Sequence, residues 1–596
     1  MKQVTIITFL LLICTLSFSQ HSSEHRSGKM ELLSSCFLFP EVEKPHSSLN
    51  LATPQGSFIN NTDPEEGFTL KFLVDFKDFD KDRVILEIPD VLTVRFRNAD
   101  PAIRDQQNYP AHLMEDGSLP VMESIITLNT SSEKPFRKSL TIGFPLAMVP
   151  NLNGEHEVIL SFTKAQFVMY LNGEIVDSEF PIGFPDLLGE KTWRIDDKCV
   201  NSAMIFFPSI NPERDLTKRS NLQPDIQYWT PRWHNAWVGD VATFYHTGRY
   251  HVFYLFDRRH HSSKFGVGGH YFEHFSTTDF VTWTEHEAAT PIEEQWETFG
   301  TGTPFILNDQ LCISYGLHTS RVYPIEKTMY PCLFNYFNKN NKTGFFHADV
   351  NSMFPSGSTY SISQDGVSKF QKTGNIFHFC ENPSVYNNND GTFMMFANYH
   401  ANGTWKSDNI DGDWYCVDKD FPLGGDCTFY FKWGRFEYVI GGFVNLWRRA
   451  VNSNETAWED IVGEGKDFYN GINVPAITAI SDGRFLMAGW FPIRGWGGPF
   501  VIHELIQYDD GRIGTKWMKE LTPETEKPQI LGSRIKEESV FSLHEQNFML
   551  SFEVYPKNKK QGKAALSSLS DQEGDGCEFQ ICMDDSTAQY SNIGQI

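Results

Sequence analysis

The sequence predicts an all-β protein: an N-terminal β-sandwich, then a five-bladed β-propeller, then the start of a C-terminal β-sandwich. Runs of alternating apolar residues, such as 68–74 and 157–162, recur along the chain, and this alternation is typical of half-buried strands. In the middle of the chain one pattern, a turn followed by a strand, occurs five times. A repeat of roughly 40 to 50 residues is typical of propeller blades.

The first segment has the pattern of a secretory signal peptide. Lys2 precedes an apolar run at 4–18 that ends near Ser19 and Gln20, and this run is too short to span a membrane. We therefore expect residues 1–20 to be a signal peptide and the mature protein to be secreted, periplasmic or held at the cell surface. No later apolar run reaches about 18 residues, so no membrane span is expected.

Residues 39–206 are expected to form the first β-sandwich. Within them, the hairpin at 165–176 carries Asn172-Gly173 between two apolar runs, which is a strong signal for a tight hairpin turn. The hairpin resembles the strand, Leu-Asn-Gly, strand element of laminin-G and concanavalin-like jelly rolls. A carbohydrate-binding accessory and a purely structural module are both consistent with this resemblance.

Residues 208–528 contain the five repeats. The copies lie at 237–255, 308–316, 390–396, 433–442 and 482–490. The longer interval between Gly316 and Asp390 indicates an insertion around 330–357. An ordinary β-sandwich with hairpins would carry similar turns, so spacing alone leaves that alternative open.

Charge and composition narrow the class of ligand. The net charge is -24, with 51 Lys and Arg against 75 Asp and Glu, which argues against a nucleic-acid surface. Aromatic residues make up 14% of the chain and suit the stacking of sugar rings, although β-sheet cores are also rich in aromatics. We therefore expect an uncharged ligand, and the sequence leaves the oligomeric state open.

Cysteine and histidine spacing gives no basis for a metal or another cofactor. The 10 cysteines include no Cys-x-x-Cys pair, and Cys577 and Cys582 are near enough in sequence to suggest a local disulfide. His270 and His274 would share one face of a strand, but no third ligand is evident, so a satisfied polar histidine is the simpler interpretation.

The repeat region contains a series of short motifs, at 237–240, 250–254, 276–283, 483–490, 496–498, 503–505, 510–513 and 520–521. In these motifs it resembles the five-bladed propeller of glycoside hydrolase family 32, the relatives of invertases and levanases, within a wider group that includes families 43 and 68. Residues 530–596 resemble the start of the C-terminal β-sandwich that follows the propeller in this family.

The resemblance implies an oligosaccharide or polysaccharide substrate, in which two carboxylates cleave a β-fructofuranoside or a related furanoside with retention of configuration. It places the nucleophile at Asp240. It places the acid/base at Asp426, where the family has Glu before Cys, and the stabilising residue at Asn382, where the family has Asp. Both departures bear on activity, since Asp is about one methylene shorter than Glu and Asn carries no charge. Glu381 is the neighbouring carboxylate that would restore that charge.

Two alternatives stay open. One is a family 43-like arabinosidase or xylosidase, which would invert, and the other is a propeller that binds sugar without catalysis. The separation of the two carboxyl groups distinguishes the enzymes, since about 5 to 5.5 Å favours retention and about 6.5 to 9.5 Å favours inversion.

Further residues are predicted to bind the sugar. Arg258, His260 and His270 come from a polar run after the first repeat strand that family 32 lacks, and their side chains can bind hydroxyl or carboxylate groups. The tryptophans predicted to line the subsites are Trp237, Trp283 and Trp490, together with Trp296 and Trp496. Tryptophan in propellers also packs between blades, which is the simpler reading for each ring alone.

Overall fold

The structure is a computed structural model of the chain. It describes residues 37–38, 47–521, 530, 563–569, 576–582 and 587–593. The gaps within 47–521 are at 52, 77–81, 102–112, 130–138, 211–212, 215–218, 222–227, 232, 260–261, 267–268, 296, 320–356, 379, 381, 389, 398–402, 420–426, 443–444, 452–456, 463–467, 470–471 and 493–494. Contacts divide the chain into two compact units, of which Ser22–Pro523 is one and the other holds the C-terminal sheet.

The first part of the larger unit is a β-sandwich of two six-stranded antiparallel sheets. Its strands, with the short pair β1 and β14, are β1 (Phe37–Leu38), β2 (Ser47–Asn50), β3 (Gln55–Asn60), β4 (Phe68–Asp75), β5 (Arg83–Ile88), β6 (Leu92–Ala99), β7 (Leu119–Thr127), β8 (Ser139–Pro145), β9 (Glu155–Phe162), β10 (Phe167–Leu171), β11 (Glu174–Glu179), β12 (Gly189–Ile195), β13 (Val200–Phe207) and β14 (Glu213–Arg214). The sheet orders are β11-β10-β9-β4-β13-β2 and β3-β12-β5-β6-β7-β8.

The alternating residues of β4 show why the sandwich forms. Phe68, Leu70, Phe72 and Val74 are at most 1% exposed and lie in the core between the two sheets, while Lys71 points to solvent. The predicted turn of the β10–β11 hairpin is present, with positive φ angles of 51° at Asn172 and 83° at Gly173. Positive φ at both central residues matches the right-handed twist of the two strands.

The second part of the larger unit is a propeller of five antiparallel sheets. Its strands are β15 (Arg219–Asn221), β16 (Tyr228–Trp229), β17 (Ala236–His246), β18 (Arg249–Arg258), β19 (Tyr271–Thr277), β20 (Thr282–Glu285), β21 (Glu297–Phe299), β22 (Pro304–Leu307), β23 (Gln310–Thr319), β24 (Gly357–Ser363), β25 (Phe370–Lys372), β26 (Ser384–Asn387), β27 (Phe393–Ala397), β28 (Gly403–Ser407), β29 (Tyr415–Asp418), β30 (Phe429–Trp433), β31 (Phe436–Ile440), β32 (Leu446–Ala450), β33 (Glu459–Asp460), β34 (Asn473–Ala479), β35 (Phe485–Trp490), β36 (Phe500–Gln507) and β37 (Ile513–Lys516).

The five predicted turn-and-strand repeats are the first hairpins of the five blades. Their strands are the second strands, β18, β23, β27, β31 and β35, which pair with the innermost strands β17, β22, β26, β30 and β34. This confirms the prediction of an all-β fold with five blades. The insertion predicted around 330–357 lies almost wholly outside the described residues.

The ring closes because an early strand completes the last blade. β16 precedes β17, the innermost strand of blade 1, in sequence, yet Tyr228 and Trp229 pair with Val501 and Phe500 of β36 in blade 5. A second link is the backbone bridge between Val238 and Gly498, with N···O distances of 3.0 and 2.9 Å. Both ends of the propeller sequence therefore share blade 5.

Side-chain hydroxyls connect neighbouring innermost strands around the axis. Thr243 Oγ1 of blade 1 lies 2.7 Å from Thr478 Oγ1 of blade 5. Thr303 Oγ1, before β22, accepts from the backbone N of Val385 in β26 at 2.6 Å and donates to its carbonyl at 2.8 Å. Ser384 of β26 donates to the carbonyl of Thr428, just before β30. These bonds join strands that belong to separate sheets.

The remaining described elements are few. Helix in the described part of the chain consists of α1 (Ser263–Gly266) and 3-10 turns at Pro64–Glu66, Leu146–Met148 and Lys519–Leu521. In the described residues, no helix is both long enough and apolar enough to cross a bilayer.

The C-terminal unit contains a three-stranded antiparallel sheet of β38 (Lys563–Leu569), β39 (Gly576–Cys582) and β40 (Thr587–Ile593). Cys577 and Cys582 both lie in β39, where five positions of extended chain span about 17 Å. A disulfide needs Cα atoms within about 7 Å, so these two cysteines cannot form the local bridge that their spacing suggests.

Replacing Thr303 with Val should destabilise the propeller by about 1–3 kcal/mol, because the buried N–H and carbonyl of Val385 would lose their partner. The midpoint of urea unfolding, followed by tryptophan fluorescence, measures this change. Thr141→Val at an exposed position of β8 is the matched control and should change stability by less than about 0.5 kcal/mol. An equal effect of the two substitutions would contradict the role given to the hydroxyl.

Candidate functional site

The candidate site lies where the innermost strands begin, at one end of the propeller axis. Asp240 is near the start of β17, and Thr301, Asn382 and Cys427 immediately precede β22, β26 and β30. Trp490 ends β35, opposite Asn473 at the start of β34. Each of the five blades therefore contributes one residue to a group around Asp240.

Irregular backbone marks this end of the innermost strands. The register of β17 with β18 shifts between Val238 and Val241, so that Asp240 lies in a β-bulge. In blade 2 the inner edge is divided into β21 and β22 by residues 300–303, and the register of β34 shifts between Asn473 and Ala476. Bulges bend a strand and redirect a side chain, which accounts for an acidic residue turning into the axis.

Three neutral groups donate to the carboxylate of Asp240, which is 7% exposed. The hydroxyl of Thr301 donates to Oδ2, and the thiol of Cys427 lies 3.5 Å from the same oxygen. Trp490 Nε1 donates to Oδ1 at 3.3 Å. Hydrogen bonds to an ionised group are stronger than bonds between neutral groups, so these donors stabilise a negative charge at a position shielded from water.

Thr301 also joins Asp240 to Asn382. Its backbone N donates to Asn382 Oδ1 at 3.1 Å, while its hydroxyl contacts Asp240. Thr301, which was not predicted from the sequence, thus connects Asp240 and Asn382, which were. Gly302 permits this arrangement, because a Cβ there would lie 1.9 Å from the carbonyl oxygen of Ser314.

Aromatic rings form a wall beside Asp240. The Trp496 ring lies against Gly239, where an added Cβ would be 2.0 Å from Cη2. The Trp496 ring stacks on the His270 ring, with centroids 4.4 Å apart and planes 18° apart. Its centroid lies 5.8 Å from that of the Trp490 ring. Trp237 is partly exposed, and its Cβ lies close to Gly497, next to Trp496.

Two predicted sugar-binding residues lie elsewhere. Arg258 is buried, and it donates from Nε to Ser178 Oγ of the sandwich at 3.0 Å and from an Nη to the carbonyl of His234. Trp283 is 1% exposed and packs among aromatic rings of blades 1 and 5, including Phe275 and Phe500. The prediction that these two side chains line sugar subsites is corrected: in this structure they form part of the packing between domains and between blades.

Other predictions fall outside the described residues. These are the proposed acid Asp426, the neighbouring carboxylate Glu381, and the ligands His260 and Trp296. Asn382 and Cys427, the next residues in sequence after Glu381 and Asp426, are described and both belong to the group around Asp240.

Sequence reasoning missed Thr301 and gave Cys427 no role beyond its place in a motif. Thr301 lies in a Gly-Thr-Gly-Thr run just ahead of the β22 strand, and two glycines beside a strand are the local signal for a close backbone approach. That signal marks the position but gives no indication that the hydroxyl reaches Asp240, 61 positions away in sequence.

His270 and His274 lie in different environments and do not form a common site. His270 contacts Trp496, whereas His274 belongs to a buried cluster in which its Nε2 lies 3.0 Å from His251 Nδ1 and its ring stacks on His286. Among the described residues, no group of three or more His, Cys, Asp or Glu side chains is placed to hold a metal ion.

A cavity of about 190 Å³ lies farther along the same axis, past the hydroxyl links. It is lined by residues of all five innermost strands or the turns beside them, including Tyr245, Pro304, Tyr386, Tyr430 and Ile477. Its lining contains no acidic side chain, so it lacks the pair of carboxyl groups that the resemblance implies.

Comparison with known proteins gave structural matches only. No protein-family model and no curated protein sequence matches the chain. Among solved structures, sucrose-6-phosphate hydrolase from Lactobacillus gasseri is 13% identical, with a TM-score of 0.36 over 50% of this chain and 64% of its own. A GH43 protein from Bacillus licheniformis is 11% identical, with a TM-score of 0.32 over 52% and 60%. Exo-inulinase from Aspergillus awamori is 13% identical, with a TM-score of 0.34 over 49% and 66%. The chain thus spans less than two thirds of the length of each of these proteins.

The His251 cluster predicts loss of stability in mild acid. Burial, and secondarily the neighbouring His286, lower the pKa of His251 to about 3, while the unfolded chain takes up this proton below about pH 6.5. The unfolded state therefore binds more protons between these values, and the stability contributed by neutral His251 falls as pH falls, by about 1 kcal/mol per pH unit.

Urea unfolding at a series of pH values from 7 to 5 tests this prediction. His251→Gln should flatten the decline. His503→Gln should act in the same direction, because burial lowers the pKa of His503 to about 4. An unchanged slope in His251→Gln would contradict the assignment.

Proposed function

We propose that this protein is a glycoside hydrolase that cleaves O-glycosidic bonds in a carbohydrate, with Asp240 as nucleophile or general base. One observation carries the proposal: a buried carboxylate on the propeller axis receives three neutral donors and lies beside a wall of indole and imidazole rings. A shielded carboxylate serves attack on an anomeric carbon or activation of water. The flat rings of the wall suit the apolar face of a sugar.

The chemistry requires a second carboxyl group that protonates the leaving oxygen. We assign this role to Asp426, as the resemblance to family 32 implies. The contact of Cys427 with Asp240 supports the assignment, since Cys427 is the next residue after Asp426. In the proposed reaction Asp426 gives its proton to the departing sugar oxygen while Asp240 attacks the anomeric carbon or takes a proton from water.

Asn382 or Glu381 is proposed to orient the sugar. Asn382 Oδ1 already accepts from the backbone N of Thr301, so a contact with a sugar hydroxyl would use the amide nitrogen as donor. An amide cannot stabilise an oxocarbenium-like transition state by charge, and we assign that stabilisation to Glu381. Trp237 and Trp496, which are partly exposed, are proposed to bind the sugar faces, while the predicted ligands Trp490 and His270 are buried and support the wall from behind.

The substrate class proposed first is a β-fructofuranoside or a related furanoside, cleaved with retention. A family 43-like arabinosidase or xylosidase activity, with inversion, is the second candidate. Proton NMR of the sugar as it is released separates the two, because retention and inversion give opposite anomers before mutarotation. A sugar-binding protein without catalysis is the third candidate, and it is the one that the amide at position 382 and the shortened acid at 426 favour.

Asp240→Asn should lower hydrolysis by at least about 100-fold, because an amide can neither attack nor accept a proton. The purified mature protein is incubated with sucrose, inulin, levan and fragments of arabinan and xylan, and released sugar is measured. Asp309→Asn is the matched control: Asp309 lies in the exposed turn before β23, at a φ of 63° that Asn also tolerates. Release that is equal in Asp240→Asn and wild type would refute the role of Asp240. No release by wild type, with sugar binding kept by both, would favour the non-catalytic protein.

Export is proposed as well, from the signal-like pattern of residues 1–20. Expression of the full chain in a host with a secretory pathway should yield a protein whose N-terminus begins close after Gln20. Mass spectrometry of the intact secreted protein measures this, and a cell-retained product that still begins at Met1 would contradict it.

A further inference from the structure

One edge of the N-terminal sandwich packs on the propeller segment that leads to the candidate site. This edge, here called the sandwich edge, consists of Asp177, Ser178, Glu179 and Phe180 at the end of β11. It contacts the described residues of 258–271, which connect β18 to β19 in blade 1.

Buried charges fix the beginning of this segment. Asp177 is fully buried, and its Oδ2 lies 2.5 Å from an Nη of Arg259. The carbonyl of Ser178 accepts from the other Nη of Arg259 at 3.0 Å, and Glu179 Oε2 lies 3.5 Å from that nitrogen. Ion pairs shielded from water demand good geometry to offset their desolvation, so they restrict where the segment can lie.

The centre of the segment is held by Glu179 and Lys264. Glu179 Oε1 accepts from the backbone N of Lys264 at 2.6 Å, and the ammonium group of Lys264 donates to the carbonyl of Glu297 in β21. Burial lowers the pKa of Lys264 to about 7 and raises that of Glu179. Both charged forms are therefore costly here, and the bonds between the segments compensate for part of that cost.

Phe180 fixes the end of the segment. Its ring lies directly on Gly269, where an added Cβ would be 2.1 Å from Cδ2, and it meets the Tyr271 ring edge-on with centroids 6.1 Å apart. Only a residue without a side chain admits the ring at this distance. The residue between these two contacts is His270.

His270 connects the sandwich edge to the candidate site. Its backbone is bonded to blade 2, through Thr298 Oγ1 and the N of Phe299. Its ring stacks on Trp496, which lies against Gly239, next to Asp240. A continuous series of contacts thus runs from the sandwich edge to the aromatic wall.

We propose that the sandwich edge is a positioning element of the candidate site: Phe180, seated on Gly269, holds His270 so that Trp496 stays against Gly239 beside Asp240. The sandwich is then a structural part of the sugar-binding wall, and not a module that acts independently. The effect expected on KM rests on the proposed function. The structural coupling, by which Phe180 sets the position of Trp496 through His270, does not.

The structural coupling is tested by fluorine NMR of the full chain labelled with 5-fluorotryptophan. The Trp496 resonance is assigned by its absence from Trp496→Phe. We expect Phe180→Ala to shift this resonance and Lys164→Met to leave it in place. Lys164 is the matched control because it joins the same two domains, by a 2.7 Å pair with Glu294 that is partly exposed. A Trp496 resonance that stays unchanged in Phe180→Ala, or that Lys164→Met shifts equally, overturns the proposal.

Gly269→Ala provides the second perturbation if Phe180→Ala does not fold. It retains every charge of the sandwich edge and displaces the Phe180 ring from the propeller side, so it should shift the same resonance. An unmoved Trp496 signal in folded Gly269→Ala overturns the proposal in the same way.

The kinetic test separates this proposal from the proposed function. On a substrate that wild type hydrolyses, Phe180→Ala should raise KM about tenfold with a kcat change below about threefold, since a small displacement of a binding wall weakens positioning. Lys164→Met should leave both constants within about twofold. If wild type hydrolyses nothing, the proposed function fails while the NMR result still decides the coupling. If wild type is active and Phe180→Ala matches it in KM and in the NMR signal, the positioning role alone fails.

Discussion

The propeller depends on polar bonds between innermost strands that share no sheet. Each blade satisfies its own backbone groups by pairing, but the inner edge of each blade faces the axis, where unpaired groups would be costly. Thr243 with Thr478, Thr303 with Val385, and Ser384 with Thr428 supply bonds across these boundaries. The bond from Thr301 to Asp240 crosses the boundary between blades 1 and 2 in the same manner. The proposed catalytic carboxylate is therefore also part of the structure that closes the ring.

Three neutral donors to Asp240 are present among the described residues. The hydroxyl, thiol and indole donors stabilise the anion, because hydrogen bonds to an ionised group are stronger than bonds between neutral groups. The wall of Trp496 and His270 adds apolar surface beside the charge, which suits a ligand with hydroxyl groups on its edges and C–H groups on its faces.

The sequence predicted the five hairpins correctly, because the geometry of a turn depends on the residues within the turn itself. The turns before β18, β23, β27, β31 and β35 require positive φ or tight reversal, and Gly, Asn and Asp at those points identify five hairpins. Asp240 was found because it stands in a motif at the start of β17. The partners that define its environment come from distant parts of the chain, Trp490 being 250 positions away. Trp283 and Trp490 look alike in sequence, and only the packing of blade 1 against blade 5 puts the first in the core and the second beside the carboxylate. Arg258 was misassigned for the same reason, since its partner Ser178 lies in another domain.

Because β16 completes blade 5, the candidate site assembles late. The strand that completes the last blade is made before strands β17 to β20 of blade 1, and it finds its partner β36 only after more than 250 further residues have been added. Trp490 and Trp496 are synthesised within this final stretch, so a growing chain carries Asp240 without its indole donor or its aromatic wall. Pairings at such long separation form late in folding. The site is therefore complete only at the end of propeller assembly, and a chain that stops short of blade 5 carries Asp240 without Trp490 and Trp496.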